Sequence, residues 1–392
     1  MKLPGFRIGL IKKRNGKIIS ARHEPGHSWT RNAWNWFFCN MAFSVCDNSG
    51  KFGAGYMSFR RTDGTIDSGN TLFPSRVART SVYGFMSNVS NNVSHYGGIH
   101  VGAGDKDFNV NDHALDSLIS GGTGAGQLNF PSMMNFWRGT YADNSWTATL
   151  EREFTNNSGG DVTVKEVGLV YKLRLVANKE YLYLFARDVL NEAVTIASGE
   201  SLVVQYEITM DFSDIGKSAW TRNIWNRMFS AMTDTQADFV NDFTNGILTA
   251  KTIGGAVRRT ASSVPFDSHT IGVDLRAGAG DTAYNVNDFK LESMIADGSG
   301  AGQLTHGSAA FPALNYSGKK WIATLSRDFT NNSGNPITIK ETGITKYNIQ
   351  MYSSYWDTFL HSRNVLSSPV VVGNGETFTL QYAIEMDFSG ID

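Results

Sequence analysis

The chain has 392 residues, of which 18% are charged and 12% aromatic, with 40 glycines, 8 prolines and a formal net charge of −1. Such a length can bury more than one core, and abundant glycine with few charges favours strand-and-turn proteins over helical bundles. The near-neutral charge, without a long basic run, argues against direct nucleic-acid binding, which needs clustered Lys and Arg.

Cysteine content and hydropathy exclude further classes of protein. Cys39 and Cys46 are the two cysteines of the chain, which excludes a disulfide framework and is typical of folding in a reducing cytosol. The N-terminus lacks an apolar stretch of signal-peptide length, and no run of residues is apolar enough to span a membrane. We therefore expect a soluble protein that is not exported by a signal peptide and has no membrane partner.

The first element along the chain is a predicted β-hairpin in residues 6–24. Two extended runs flank Asn15 and Gly16, and Asn-Gly between such runs is the strongest short-range hairpin signal. We assign residues 1–27 to an N-terminal hairpin arm. Such an arm is suited to pairing with the sheet edge of a neighbouring subunit.

The rest of the chain is a tandem repeat. Five segments of the first copy return in the same order in the second: 29–35 as 220–226, 102–105 as 278–281, 124–128 as 300–304, 154–159 as 329–334 and 211–213 as 387–389. The preserved order indicates duplication. We predict a first domain over 28–213, a linker over 214–217 and a second domain over 218–392. The copies differ most across the Gly-rich residues 48–70, where we place an insertion in the first copy.

Each repeat opens with a predicted amphipathic helix. The apolar positions shared by the copies are Trp29, Ala33, Trp34, Phe37, Phe38 and Met41, matched by Trp220, Ile224, Trp225, Met228, Phe229 and Met232. Their spacing predicts one apolar stripe, which we interpret as packing against a sheet rather than as a ligand surface. Ser28 and Ser218 are candidate N-caps.

A Gly-rich segment follows, and it predicts a second short helix. Asn111 or Asp112 is a natural N-cap for a helix through the apolar residues Leu115, Leu118 and Ile119. The glycines lack the Lys-Ser/Thr ending of a phosphate-binding loop, so no nucleotide or other cofactor is expected. Calcium is an alternative, with Asp105, Asp107, Asn109 and Asp116 as its ligand candidates. Val110, however, stands where such a loop requires glycine for its sharp turn.

The remainder of each repeat predicts antiparallel strands. Apolar and polar residues alternate over 146–154 and 202–212, and residues 155–159 have the composition of a turn. We therefore predict a mainly β protein. It consists of two tandem homologous antiparallel β-sandwich or barrel-like domains, each opening with an amphipathic helix and carrying a second short helix.

Charged residues at inward strand positions predict buried ion pairs. A hairpin around the turn at 155–159 would set Arg152 near Glu166, and likewise Arg327 near Glu341. Arg187 and Arg363 are competing partners. The strand pattern places no second carboxylate beside these expected pairs, and the eight histidines do not align between the copies. We therefore predict no catalytic residue and no enzyme activity.

This order of elements resembles that of structural proteins of tailed bacteriophages. The shared features are the hairpin and Asn-rich helix, Gly102-Ala103-Gly104, Glu166-Val167-Gly168-Leu169, Ala186-Arg187-Asp188-Val189-Leu190 and the final strand from Leu202 to Met210. The second copy has Glu341-Thr342-Gly343-Ile344 and Ser362-Arg363-Asn364-Val365-Leu366, but the chain departs from the usual pattern in being doubled. The resemblance implies a virion component made in the host cytoplasm, at the head, neck, tail or baseplate.

The function expected first is that of a structural virion protein that forms homo-oligomers and docks on other virion proteins. Duplication suits this role because two similar domains can occupy quasi-equivalent positions around a symmetric particle. The alternative is a receptor- or glycan-binding tail protein, with Trp137, Tyr355 and Trp356 as possible partner contacts. A third possibility is an envelope-degrading enzyme.

Overall fold

A computed structural model shows a mainly β protein in which all paired strands are antiparallel. The prediction of a mainly β, antiparallel fold is confirmed. The structure describes residues 5–26, 28–42, 51–67, 97–130, 139–142, 145–174, 180–211, 219–226, 249–259, 273–349 and 357–389.

The strands are numbered in chain order. The hairpin arm contains β1 (Gly5–Arg14) and β2 (Lys17–Gly26). The first repeat contains β3 (Phe59–Arg60), β4 (Ile66–Asp67), β5 (Gly98–Gly102), β6 (Gly139–Ala142), β7 (Ser145–Thr155), β8 (Val162–Arg174), β9 (Glu180–Ile196) and β10 (Glu200–Asp211). Those of the second repeat are β11 (Thr249–Lys251), β12 (Val257–Arg259), β13 (Val273–Gly278), β14 (Thr305–His306), β15 (Ala310–Ser317), β16 (Lys320–Thr330), β17 (Ile337–Ile349), β18 (Asp357–Val372) and β19 (Thr377–Asp387). Helix α1 spans Arg31–Ala42, and residues 222–226 are helical at the corresponding place.

The hairpin arm and the first repeat form two main sheets, with strand orders β2-β1-β10-β7-β6 and β5-β8-β9, beside the two-stranded sheet β3-β4. Alternate side chains on each sheet are fully buried, among them Leu150 and Leu202 on the first and Val164 and Phe185 on the second. Alternation of this kind arises when one face of an antiparallel sheet covers a core. The buried faces belong to one apolar cluster, as in a sandwich-like arrangement.

The second repeat repeats this strand plan. One sheet has the order β13-β17-β18, as in β5-β8-β9. In a second sheet, β16 pairs with β19 on one edge and with β14 and β15 along the opposite edge, as β7 pairs with β10 and β6. Strands β11 and β12 form a two-stranded sheet, as do β3 and β4. The second repeat has no described counterpart of β1 and β2.

The N-terminal hairpin is confirmed. Asn15 and Gly16 form its two-residue turn with φ angles of 49° and 73°, which is the backbone that Asn-Gly favours. The arm does not extend away from the chain as a free arm would. Strand β1 pairs along the whole of β10, and Ile8 and Leu10 are buried there. The hairpin therefore completes a sheet of its own chain, although such an arm is also suited to pairing with a neighbouring subunit's sheet.

Helix α1 places Ala33, Phe37, Phe38 and Met41 in the core, while Trp34 is only partly buried. Trp36 and Phe37 are almost completely buried beneath β9. The predicted N-cap Ser28 is wrong by two residues, because the helix begins after Thr30, whose carbonyl accepts the amide of Trp34 at 3.2 Å. The Ser28 carbonyl instead accepts the amide of Arg187 on β9 at 3.1 Å.

The predicted second short helix is wrong in both repeats. Residues 110–119 and 286–295 form turns and isolated bridges. The amide of Ile119 donates to the Val101 carbonyl at 3.0 Å, and that of Ala103 to the Ser117 carbonyl at 2.7 Å. Because these groups bond across to β5 and the residues beside it, they do not form helical hydrogen bonds, and the leucine spacing does not produce a helix.

The insertion that we placed at 48–70 lies elsewhere. In the first repeat the side chain of Asn32 donates to the carbonyl of Arg60 at 2.8 Å and accepts its amide at 2.9 Å. Asn223 forms the same pair of hydrogen bonds with Lys251, at 3.0 and 2.7 Å and at the same sequence separation of 28. The extra residues of the first copy therefore follow β4, where 68–97 precede β5 and only 260–272 separate β12 from β13.

The turn after β7 carries the chain from one sheet to the other. Asn156 is fully buried, and its Nδ2 donates to the carbonyls of Gly160 at 2.7 Å and Ile196 at 2.6 Å. Asn331 makes the equivalent bonds in the second repeat. The predicted β7–β8 hairpin is therefore wrong, because β7 and β8 belong to different sheets.

Candidate functional site

A buried carboxylate lies where the Gly-x-Gly segment meets the second sheet. Glu166 on β8 is opposite Gly102 on β5, and Arg187 on β9 is opposite Gly168 on β8. Both charged side chains are enclosed, with exposures of 0% for Glu166 and 1% for Arg187. We call Glu166, Arg187 and Asp112, with the glycines against them, the Glu166 cluster.

The Glu166 carboxylate accepts four hydrogen bonds. Its Oε2 accepts Nε of Arg187 at 2.7 Å and the amide of Asp116 at 3.1 Å. Its Oε1 accepts the amides of Ser117 at 2.8 Å and Gly104 at 3.2 Å. A carboxylate offers about four acceptor positions, so this one is fully used. It holds the Gly-rich segment against the sheet.

Arg187 distributes its remaining nitrogens over the same segment. Its Nη1 donates to Oδ2 of Asp112 at 2.9 Å and to the Asp107 carbonyl at 3.3 Å, and its Nη2 donates to the Lys106 carbonyl at 2.8 Å. Burial acts to lower the pKa of the guanidinium. The hydrogen bonds and charges of Glu166 and Asp112 outweigh burial, so the pKa of Arg187 is raised above its ordinary value.

Two glycines of this segment are required by close approach. A Cβ at Gly102 would lie 2.4 Å from Oε1 of Glu166, and one at Gly104 would lie 2.7 Å from the same atom and 2.5 Å from Cβ of Asp116. Real Cβ atoms do not come this close to other atoms. The two glycines of the Gly-x-Gly motif therefore leave room for the Glu166 carboxylate, which occupies the space where their side chains would lie.

The second repeat contains the same cluster. Nε of Arg363 donates to Oε2 of Glu341 at 2.7 Å, and its Nη1 donates to Asp288 at 2.8 Å. Three backbone amides complete the carboxylate, namely those of Ser293 at 2.8 Å, Glu292 at 3.1 Å and Gly280 at 3.3 Å. The four bonds to each carboxylate and the bond from each arginine to its aspartate agree within 0.1 Å between the repeats, so this constellation is a property of the repeat unit.

The predicted partners of these carboxylates are wrong. We expected Arg152 to pair with Glu166, but the competing partner Arg187 forms the bridge. Arg152 lies in the other sheet and donates to the Ile99 carbonyl at 2.8 Å. Burial without a paired carboxylate lowers its pKa to about 10. The error follows from the β7–β8 connection, which crosses between sheets.

The same correction holds in the second repeat. Arg363, and not Arg327, pairs with Glu341. Arg327 forms an ion pair with Asp274 and donates to the carbonyls of Leu275 at 3.0 Å and Gly307 at 2.7 Å. The inward arginines of β7 and β16 thus hold backbone of the facing sheet.

The calcium candidates are engaged in other contacts. The Asp105 carboxylate binds Nζ of Lys165 at 2.7 Å, which lowers the pKa of Asp105. Asp107 offers its backbone carbonyl to Arg187, while Oδ1 of Asn109 accepts the amide of Asn111 at 2.9 Å. The backbone of Asp116 donates to Glu166. Within the described ranges, no three His, Cys, Asp or Glu side chains are grouped so that they could hold a metal ion.

Apolar contacts join the two repeats. The Trp34 ring lies 5.7 Å from that of Phe388, and the Phe38 ring 6.3 Å from that of Trp321. The guanidinium of Arg31 lies 5.7 Å from the Phe388 ring centre. The first helix is therefore packed against the end of the last strand of the second repeat.

The aromatic residues proposed as partner contacts, Trp137, Tyr355 and Trp356, lie outside the described residues, so this prediction stays open. Within the part of the chain that the structure describes, no helix is long and apolar enough to cross a membrane.

Comparisons with known proteins do not assign a family. No protein-family model matches the sequence, and no curated protein matches it. A solved structure of a beta-glucosidase from Kluyveromyces marxianus aligns with 80% of this chain and 47% of that chain, at 9% identity and a TM-score of 0.13. The chain thus spans about half the length of that structure, and a TM-score this low supports no inference about fold or activity.

A second acidic centre was missed by sequence reasoning. Glu200, at the start of β10, is 2% exposed and binds Nζ of Lys12 at 2.7 Å and Nε of Arg14 at 2.8 Å. The hydrogen bond from Lys12, followed by those from the Ala197 amide and Arg14, lowers the pKa of Glu200 to about 2. Its signal was the Gly-Glu pair before the last strand of each repeat, which we had interpreted only as a turn.

Proposed function

We propose that the protein is a non-enzymatic structural component of a tailed-bacteriophage virion, which forms homo-oligomers and docks on other virion proteins. The observation that carries this proposal is that the buried carboxylates retained in both repeats make all their hydrogen bonds within the protein. Glu166 and Glu341 direct all their hydrogen bonds to an arginine and to backbone amides. What was duplicated is therefore a scaffold, and scaffolds that recur in one chain suit quasi-equivalent positions in a symmetric particle.

The proposal includes the domain organisation. It comprises a hairpin arm at 1–27, two tandem β-sandwich domains at 28–213 and 218–392, and a linker at 214–217. The matched strand orders and the matched Glu–Arg clusters support this division. The apolar contacts between Phe388 and the first helix favour two domains that are held together.

The proposed partners are other virion proteins, with assembly in the host cytoplasm and no cofactor, nucleic acid or membrane. The near-neutral net charge supports the absence of a nucleic-acid partner, because phosphate binding requires an excess of basic residues. The proposed location in a virion rests on a resemblance to phage structural proteins, in the Gly-x-Gly, Glu-x-Gly-Leu and Ala-Arg-x-Val-Leu segments.

Purified particles of the phage that encodes the chain test the proposal. We expect mass spectrometry to detect the chain in particles at a fixed stoichiometry. Electron microscopy of intact particles with the protein labelled should place it at one position in the head, neck, tail or baseplate. Absence of the chain from particles that are infectious and complete would refute a structural virion role.

Two further measurements separate the alternatives. Binding on a glycan array that the Trp356→Ala variant abolishes would favour a receptor-binding tail protein. Absence of binding to the glycan array, together with ring-like oligomers of the purified protein, would favour the structural role. Turnover of host envelope material by purified protein would favour the enzyme.

A further inference from the structure

The last strands of the two repeats have different neighbours. Strand β10 is paired with β7 on one edge and with β1 on the other. Its counterpart β19 is paired with β16 on one edge, and no described strand pairs with the opposite edge. We call this second edge the open edge of β19. Unpaired strand edges present free amides and carbonyls to which another strand can bind.

The side chains of β10 and β19 differ in solvent exposure in the same way as the two strand edges differ in pairing. On β10, Leu202 and Tyr206 are completely buried because β1 lies beside them. Their counterparts on β19, Phe378 and Tyr382, are only half-buried. The sheet of the second repeat thus leaves aromatic surface uncovered at the position where the first repeat carries its hairpin.

The charges at the two edges differ in a corresponding way. Glu200 binds two cations of β1, Lys12 and Arg14, and accepts the amide of Ala197 at 2.9 Å. Glu376 keeps the equivalent turn bond, from the amide of Gly373 at 2.7 Å, but it is exposed and no described cation binds it. As far as the described residues go, the open edge therefore combines a backbone with no paired strand, partly exposed aromatic rings and a carboxylate with no bound cation.

We propose that the open edge of β19 binds an extended segment of another protein by strand addition. The pattern on β1 defines the chemistry of that segment: Ile8, Leu10, Lys12 and Arg14 stand at alternate positions, two apolar residues followed by two basic ones. The partner strand runs antiparallel to β19, with its apolar side chains beside Leu380 and Tyr382, as Ile8 and Leu10 lie beside Tyr206 and Val204. Its basic side chains reach Glu376. Strand addition of this kind takes affinity from backbone bonds and specificity from alternate side chains.

The chain's own hairpin does not fill this edge. Strand β1 occurs once and is already paired with β10. Only eight residues, 212–219, join the end of β10 to Trp220, whereas the hairpin of the first repeat takes up 22 residues, 5–26. The segment that precedes the second repeat is thus too short to supply an equivalent hairpin. Since the described residues of this chain offer no strand for the open edge, the proposed strand belongs to another molecule.

This inference rests on the docking part of the proposed function, and a direct binding assay tests it. The probe is a fluorescein-labelled peptide of residues 5–14, titrated with the full chain while anisotropy is measured. We expect saturable binding, at least tenfold weaker for Glu376→Lys and for a peptide in which both Lys12 and Arg14 are glutamate. The matched control is Asp161→Lys, the same charge change at an exposed turn residue of the first repeat, which should bind like the unmodified chain.

Hydrogen exchange locates the bound peptide. Protection of the amides of 377–387 supports strand addition at β19. Protection confined to 200–211 would mean exchange with the chain's own β1 and would overturn the proposal, as would the absence of binding or equal binding to Glu376→Lys. A dimer that Glu376→Lys dissociates would assign the edge to a second copy and overturn the choice of partner. Peptide binding does not depend on where the chain lies in a particle. Failure of the strand-addition proposal can therefore be distinguished from failure of the proposed virion role.

Discussion

Arg187 donates from Nε to Oε2 of Glu166 over 2.7 Å, and both side chains are shut off from solvent. Two strands, β8 and β9, hold these side chains by their opposing register, while the Gly-rich segment wraps over them. Since neither ion could be stable there alone, the pair and its amide donors form one unit.

Removing the cation of this unit should be strongly destabilising. For Arg187→Met we expect the free energy of unfolding to fall by about 3–5 kcal/mol, because a buried carboxylate loses its counter-ion. Denaturant titration followed by circular dichroism measures the loss. Lys165→Met is the matched control, since Lys165 binds Asp105 at the surface and such pairs contribute about 1 kcal/mol or less. Equal losses in the two variants would contradict the assigned role.

Adding a methyl group beside Glu166 should also destabilise the protein. For Gly104→Ala we expect a loss of about 1–3 kcal/mol, because the new Cβ would overlap the carboxylate and the Asp116 side chain. Gly160→Ala is the control, as a Cβ there meets nothing within 4 Å. Thermal unfolding of both variants distinguishes them. A Gly104→Ala protein as stable as the control would show that the segment can move away.

Strand content and the hairpin were predictable because they depend on local signals. Alternation of apolar residues is a two-residue pattern, and Asn15-Gly16 fixes a turn by its own backbone preference. The wrong predictions concerned features that depend on contacts between residues far apart in sequence. The leucine spacing at 115–119 resembles a helix, but the amides of Asp116 and Ser117 are claimed by a carboxylate about 50 residues away in sequence.

The Glu166–Arg187 ion pair was predictable only in part from the sequence. Strand parity correctly placed Glu166 inward, because parity needs only the strand itself. The choice between Arg152 and Arg187 required knowing that the chain changes sheets after β7. That change depends on bonds from the buried side chain of Asn156 to the Ile196 carbonyl, 40 residues away, and no local pattern encodes them.

Acid should reveal the contribution of Glu200. Its pKa is lowered from the ordinary 4.5 to about 2 in the folded protein, so the ionised form stabilises the fold above about pH 4.5. This stability is lost as the pH falls toward 2. The advantage of the unmodified chain over Glu200→Gln, measured by denaturant titration at each pH, should therefore be full at pH 7 and shrink between pH 4.5 and 2.

Glu376→Gln is the internal control for this measurement. Glu376 has the same place before the last strand of its repeat but is exposed and has no described cation beside it. We expect its substitution to change stability little at any pH. A pH-dependent loss in Glu376→Gln as large as that in Glu200→Gln would show that the hairpin cations are not the cause.

The contact of Phe388 with the first helix should couple unfolding of the two repeats. Phe388 is fully buried, and its ring lies against Trp34 and the guanidinium of Arg31. Phe388→Ala should cost about 3–5 kcal/mol through the cavity left behind. Since that cavity lies between the repeats, we also expect calorimetry to resolve two transitions in place of one. Phe154→Ala removes an equally buried ring from within the first repeat and should keep a single transition at a lower temperature. If Phe388→Ala also unfolded in one step, the repeats would be coupled through other contacts.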